Sequence, residues 1–195
     1  MNSTPETPDE QPVISRNQSR TRLYIGIGII LAGLLVGLFM YNNQSQRIDI
    51  VYQPTSACTL LTKSIAQEFL GKEVLGGNGD QEIGDTGTAT SDCSYTDSNE
   101  DENAMRVIAV KVRSGYDDTG VAQNKRDFAA HKQANNVQDV EGVGKQAFFN
   151  RTNSQLHVLT DKTWMIVSYV EGKTPSLDAL DKTTAIAKRM LASHK

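Results

Sequence analysis

The chain has 195 residues, with 20 Lys and Arg against 23 Asp and Glu, room for one domain with appendages and too little for two ordinary domains. No segment gathers basic residues on the scale needed to neutralise many phosphates, so nucleic acid is not an expected partner. Hydropathy is uneven along the chain, and that unevenness carries the strongest signal.

Residues 1–22 are rich in Ser, Thr, Asn, Gln and Pro, with Val13 and Ile14 the only adjacent apolar pair. Such a segment cannot bury a core, and a disordered cytoplasmic tail is expected. Residues 23–41, Leu23 to Tyr41, contain no charge, Asn, Gln or Pro; as a helix they would span roughly 28 Å, the hydrocarbon thickness of a bilayer. A single-pass transmembrane helix is the expectation. Arg16, Arg20 and Arg22 precede it, whereas Arg47 follows with Asp49 close by. The positive-inside rule then puts the N-terminus in the cytoplasm and the rest of the chain outside, at the cell membrane. A cleavable signal peptide is the competing reading, but the apolar run exceeds a usual h-region and YNNQSQ offers no small-x-small cleavage site. Gly33 and Gly37 form a GxxxG pair, beside Gly28 and Ala32, a spacing that lets two helices pair closely. Lipid-facing glycines are the plainer account of the same residues.

Residues 42–56 read as a linker in which Ile48, Ile50 and Tyr52 alternate like a short strand, and residues 57–195 as one extracytoplasmic domain. Thr62 is placed to cap a helix that Gly71 stops, with Ile65, Ala66 and Phe69 inside. Residues 71–89 are rich in Gly, Asp and Thr and predict an irregular stretch with one strand near Val74. Residues 93–96 and 105–113 predict a hairpin with the acidic DSNEDEN stretch at its tip; Ile108, Val110 and Val112 share one face, Lys111 and Arg113 the other. A helix over 118–134 follows, with Val121, Ala122, Phe128 and Ala129 as its apolar stripe. Turns at Gly142 and Gly144 lead to strands over 147–150, 155–160 and 163–170. A last helix over 176–192 carries Leu177, Leu180, Ala187 and Leu191 on one stripe. The order predicts an α+β fold, an antiparallel sheet packed by about three helices and preceded by one transmembrane helix.

The two cysteines, Cys58 and Cys93, fall on the outer side of the expected membrane, where they can pair. A Cys58–Cys93 disulfide closing a loop of about 35 residues would stabilise the fold by roughly 3–4 kcal/mol; two buried free thiols are the alternative. The words ACTLLT (Ala57 to Thr62) closed by Gly71, CSYT (Cys93 to Thr96), VEGVGKQAFF (Val140 to Phe149) and LHVLTDKTWMIVSY (Leu156 to Tyr169) resemble uncharacterised secreted and envelope lipoprotein families of high-GC Gram-positive bacteria with a PsbP-like α/β sandwich. The resemblance implies the same disulfide and no activity. The chain departs from those families in carrying an apolar anchor where they carry a lipidated cysteine.

Nothing in the sequence demands catalysis. His131, His157 and His194 have no Glu or Cys at ligand spacing and read as surface residues. There is no GxSxG, and the cysteines are assigned to a bridge. Asn78, Asp80 and Glu82 begin like a calcium loop, but Ile83 stands where glycine is needed and Ala89 where the bidentate acid is needed. The acidic run Asp97, Glu100, Asp101 and Glu102 reads as a solvated hairpin tip. Trp164, Tyr169, Phe148 and Phe149 read as core. No metal and no cofactor are expected, and the chain is not expected to be an enzyme. The expected function is binding of an envelope component, a protein or an amphiphile held between sheet and helices; an accessory subunit of a membrane complex is the alternative, and an envelope-acting enzyme joining His157 to Asp161 or Tyr95 a more distant one.

Overall fold

The computed structural model describes residues 50–84, 86–172 and 174–194. The expected membrane helix and its Gly33–Gly37 pair lie outside them; among the described residues no helix is long and apolar enough to cross a membrane.

The described elements are α1 (Ala57–Leu60), α2 (Lys63–Leu70), β1 (Val74–Gly76), β2 (Gln81–Ile83), β3 (Thr88–Asp97), β4 (Arg106–Gly115), α3 (Asp118–Lys132), β5 (Val137–Val140), β6 (Gln146–Asn150), β7 (Gln155–Leu159), β8 (Thr163–Glu171), β9 (Thr174–Pro175) and α4 (Ala179–Ala192). The strands form one antiparallel sheet in the order β1-β3-β4-β8-β7-β6-β5, with β2 also on β3 and β9 on β8. The fold is α+β, as the sequence predicts.

Alternation along the long strands creates two unlike faces. On the inner face Cys93 and Tyr95 of β3, Ile108, Val110 and Val112 of β4, and Met165, Val167 and Tyr169 of β8 are buried under α1, α2 and α4. Thr62 accepts the amide hydrogen of Ile65 through its hydroxyl and so starts α2. Glu68 of α2 takes both Nε and Nη2 of Arg189 of α4, each at 2.8 Å, which holds the two helices side by side.

On the outer face α3 is the covering helix. Asp117 caps it by accepting from the Gly120 amide at 2.7 Å, and Gly120 lets it approach the sheet, since a Cβ there would stand 1.7 Å from the Gly87 carbonyl oxygen. The buried positions of α3 are Gly120, Asn124 and Phe128, four residues apart. This corrects the expected stripe: Val121 and Ala122 are half-buried and Ala129 is exposed. The stripe is not apolar because Asn124 caps strand ends, donating to the carbonyls of Arg113 at 2.9 Å and Lys162 at 3.1 Å.

Three further expectations change. The last helix begins at Ala179, and Leu177 lies before it in full exposure; its buried face is Ala179, Thr183, Ile186, Ala187 and Met190. The stretch after Gly71 holds two short strands, β1 and β2, and β5 forms ahead of the Gly142 turn. Asp97 is the buried end of β3, only 7% exposed. It accepts the backbone N–H and Nε of Arg106, while Arg106 Nη2 donates to the Leu70 carbonyl at 2.6 Å. Burial alone would raise the Asp97 carboxyl, but the hydrogen bonds from Arg106 outweigh it and hold the group below its ordinary pKa.

Residues 51–57 lie against the domain in hydrogen-bonded contact. The amides of Val51 and Tyr52 donate to the Tyr116 carbonyl at 2.9 and 2.8 Å, and the Ala57 amide donates to Ser91 Oγ at 2.8 Å. The Tyr52 hydroxyl donates to Asp118 at 2.7 Å, and Lys162 Nζ sits 3.7 Å above the Tyr52 ring.

Candidate ligand-binding face

The disulfide joins Cys58 of α1 to Cys93 of β3, with Cα atoms 5.1 Å apart. Cys93 lies between the two stretches of β3 that pair with partners: β1 takes Tyr95 to Asp97 and β2 takes Ala89 to Ser91. Asn78, Gly79 and Asp80 cross the gap between β1 and β2. They stand so close to the sheet that a Cβ on Gly79 would come within 2.0 Å of the Asp92 carbonyl oxygen and 3.0 Å of Cys58 Sγ. The disulfide thus backs a loop that forms one wall of a trough on the outer face.

The trough floor is a cross-strand row of short side chains. Ser94 pairs with Ala109, Ala109 with Ser168, and Ser168 with Gln155, from β3 through β4 and β8 to β7. With side chains this short, and with α3 lying toward the other end of the strands, a space of about 540 Å³ remains. The next row carries Asp92, Lys111 and Ile166 in register. Lys111 Nζ stands 3.7 Å from Asp92, longer than a hydrogen bond, and both side chains are more than half exposed.

At the covered end the outer face is aromatic. Phe128 of α3 meets Phe148 at 4.9 Å and Trp164 edge-on at 6.3 Å. His157 lies within this cluster, stacked on Phe148 at 4.5 Å. It is only 3% exposed, so the surface expectation for this histidine is corrected. Trp164 Nε1 donates to His157 Nδ1 at 3.3 Å, which requires an unprotonated Nδ1. His157 Nε2 is buried with no hydrogen-bond partner among the described residues. Burial, with a smaller contribution from His131, pushes the His157 pKa down to about 4. His131, exposed on the last turn of α3, lies 6.0 Å from His157 and 5.0 Å from Trp164, ring centre to ring centre.

The constellation needed for His157 to act with Tyr95 or Asp161 does not form. Tyr95 faces the inner core, on the opposite side of the sheet from His157, and Asp161 is exposed in the β7–β8 turn, where it pairs with Lys145. His194 Nε2 lies 2.7 Å from the Thr59 carbonyl, with an exposed ring. Asn78 and Asp80 help wall the trough, while Glu82 lies in β2. Among the described residues no group of three or more His, Cys, Asp and Glu is placed to hold a metal ion.

The trough could not be located from sequence because its floor consists of Ser94, Ala109 and Ser168, residues that carry no motif. The one available signal was the period-2 pattern of β4 and β8, which separates 109 and 168 from the buried set. This chain matches no protein-family model, no curated protein and no solved structure.

Proposed function

We propose that the protein is a single-pass membrane protein whose outer domain binds an envelope component on the uncovered half of its sheet, without catalysing a reaction. The observation that carries the binding reading is the trough over Ser94, Ala109 and Ser168, a concave surface left open beside a helix-covered aromatic end. Its lining supplies hydroxyls, the amides of Asn78 and Gln155 and the Lys111–Asp92 pair, groups that orient a ligand by hydrogen bonds. The placement outside the cell rests on the apolar run over 23–41 and its arginine flank, together with the Cys58–Cys93 disulfide, which suits an oxidising compartment.

Two measurements test this reading. In intact cells, a membrane-impermeant maleimide should label the chain only after reduction; labelling without reductant that appears only after lysis would put the domain in the cytoplasm. A photo-crosslinking amino acid at Ser94 should give an adduct in intact cells that the same group at Lys125, exposed on α3, does not give. Equal yields at the two positions would remove the trough as the binding surface.

A further inference from the structure

The trough does not end at Lys111. Lys111 and Ile166 line both it and a second, smaller space of about 210 Å³ beside the last turn of α3, completed by Thr90, Arg113, His131 and Trp164. The walls of this cavity are almost wholly apolar, because Lys111 and Arg113 present their methylene stems to it. At about 210 Å³ it falls below the roughly 300–1,000 Å³ of sites for drug-sized ligands, a size that suits a short alkyl chain.

Charge selects among apolar occupants of that size. The lining holds two permanent cations and no carboxylate. Arg113 gives Nη1 to Asp127, and the Asp127 carboxyl is held below its ordinary pKa, chiefly by that hydrogen bond. Lys111 reaches Asp92 only at 3.7 Å and has its side chain 54% exposed. Lys111 is thus paired with Asp92 at ion-pair distance but not hydrogen-bonded to it, so its N–H donors can turn to an incoming anion, while Arg113 is steadied beside it. The Trp164 wall is held by its hydrogen bond to the buried His157 and its edge contact with Phe128, so the cavity does not depend on a loop to exist.

We propose that this cavity takes the apolar end of a small anionic amphiphile of the short-chain carboxylate class, with the head group at the rim beside Lys111 and Arg113 and any larger remainder running into the trough. The proposal names the ligand class for the binding surface put forward above and rests on that reading.

Trp164 is the single tryptophan of the chain, so its fluorescence reports the cavity directly. The full chain, reconstituted in phosphatidylcholine vesicles at pH 7.5, is titrated with hexanoate and, separately, with hexylamine. Hexanoate should shift the Trp164 emission saturably, and hexylamine at the same concentrations should not. Lys111→Met, which keeps most of the stem and removes the charge, should weaken hexanoate binding at least tenfold. Ile166→Phe should abolish it by filling the cavity; Thr90→Leu is a milder filling if the first variant does not fold. No saturable response to hexanoate, an equal response to hexylamine, or unchanged binding in a folded cavity-filled variant would each overturn the proposal. A failed hexanoate titration alongside an adduct at Ser94 removes the ligand class and leaves the trough reading standing. Hexanoate binding without that adduct retains the cavity and overturns the trough reading.

Discussion

On its inner face the sheet meets three helices, and Ile108, Val110, Val112, Met165, Val167 and Tyr169 are all shielded from solvent. On its outer face α3 packs on β4, β8 and β7 around Arg113, Trp164 and His157, and toward Ser94, Ala109 and Ser168 no helix among the described residues covers the sheet. The two faces are built from alternate residues of the same strands, so backbone pairing cannot explain the difference. What differs is where helices land. Side-chain volume records that: the inner face spends branched and aromatic residues, whereas the open half of the outer face spends serine and alanine. An antiparallel sheet can leave one face to solvent, and the open half of this one is where the proposed binding surface lies.

The largest expected effect breaks the inner face. Ile186, fully buried on α4, changed to Ala should cost about 3–4 kcal/mol in urea unfolding through lost contacts and a residual cavity. Reducing the Cys58–Cys93 bridge should cost a comparable amount, about 3 kcal/mol, because it releases the loop between them. A loss below about 1 kcal/mol in either experiment would mean that the inner face is less consolidated than its burial implies.

Next in size is the pH dependence at the covered end of the outer face. His157 titrates near 4 in the folded domain against an ordinary 6.5, so between those values the unfolded chain binds more protons and stability falls as the pH is lowered. The neutral ring's contribution is complete above 6.5 and is lost toward 4, by up to about 3 kcal/mol. His157→Phe should flatten the difference in unfolding free energy measured at pH 7.5 and pH 4.5. An unchanged slope would assign the acid sensitivity to other groups.

A smaller effect is expected at the mouth of the β3–β4 hairpin. Asp97→Asn leaves Arg106 without its charged partner and should cost about 1–2 kcal/mol at pH 7, less than a fully buried pair because Arg106 is 37% exposed. Since the Asp97 pKa is lowered in the fold, its contribution is present above the ordinary carboxylate range and vanishes as the pH falls below it. The smallest effect sharpens the comparison: Ser94→Gln on the trough floor should change stability by no more than about 0.5 kcal/mol, whereas a substitution of similar size on the inner face would not be tolerated.

Sequence patterning anticipated the inner face well, because there the code is hydrophobic periodicity. Thr62 and Gly71 bracket α2 as expected, and the alternation of β4 placed Ile108, Val110 and Val112 correctly. It failed where a polar residue does an internal job. Asn124 is buried because it satisfies two strand-end carbonyls, Asp97 because Arg106 comes with it, and His157 because α3 covers both it and Trp164. Each depends on a partner distant in sequence, which local periodicity cannot supply. The run Leu156 to Leu159, apolar but for His157, is the one local clue that β7 is covered on both sides at its end, where all four residues are buried. Leu177, counted toward the last helix, lies outside it.

The disulfide has a practical consequence for handling the protein. The loop it closes, from Cys58 to Cys93, contains α2, β1, β2 and the Asn78–Asp80 wall, much of it exposed. A protease that nicks the chain anywhere inside that loop releases no fragment: the two pieces stay covalently joined and run as one band on a denaturing gel until reductant is added. Preparations judged intact without reductant can therefore conceal cleavage at the trough wall, and a loss of binding in such a sample would report a clipped wall rather than a missing domain.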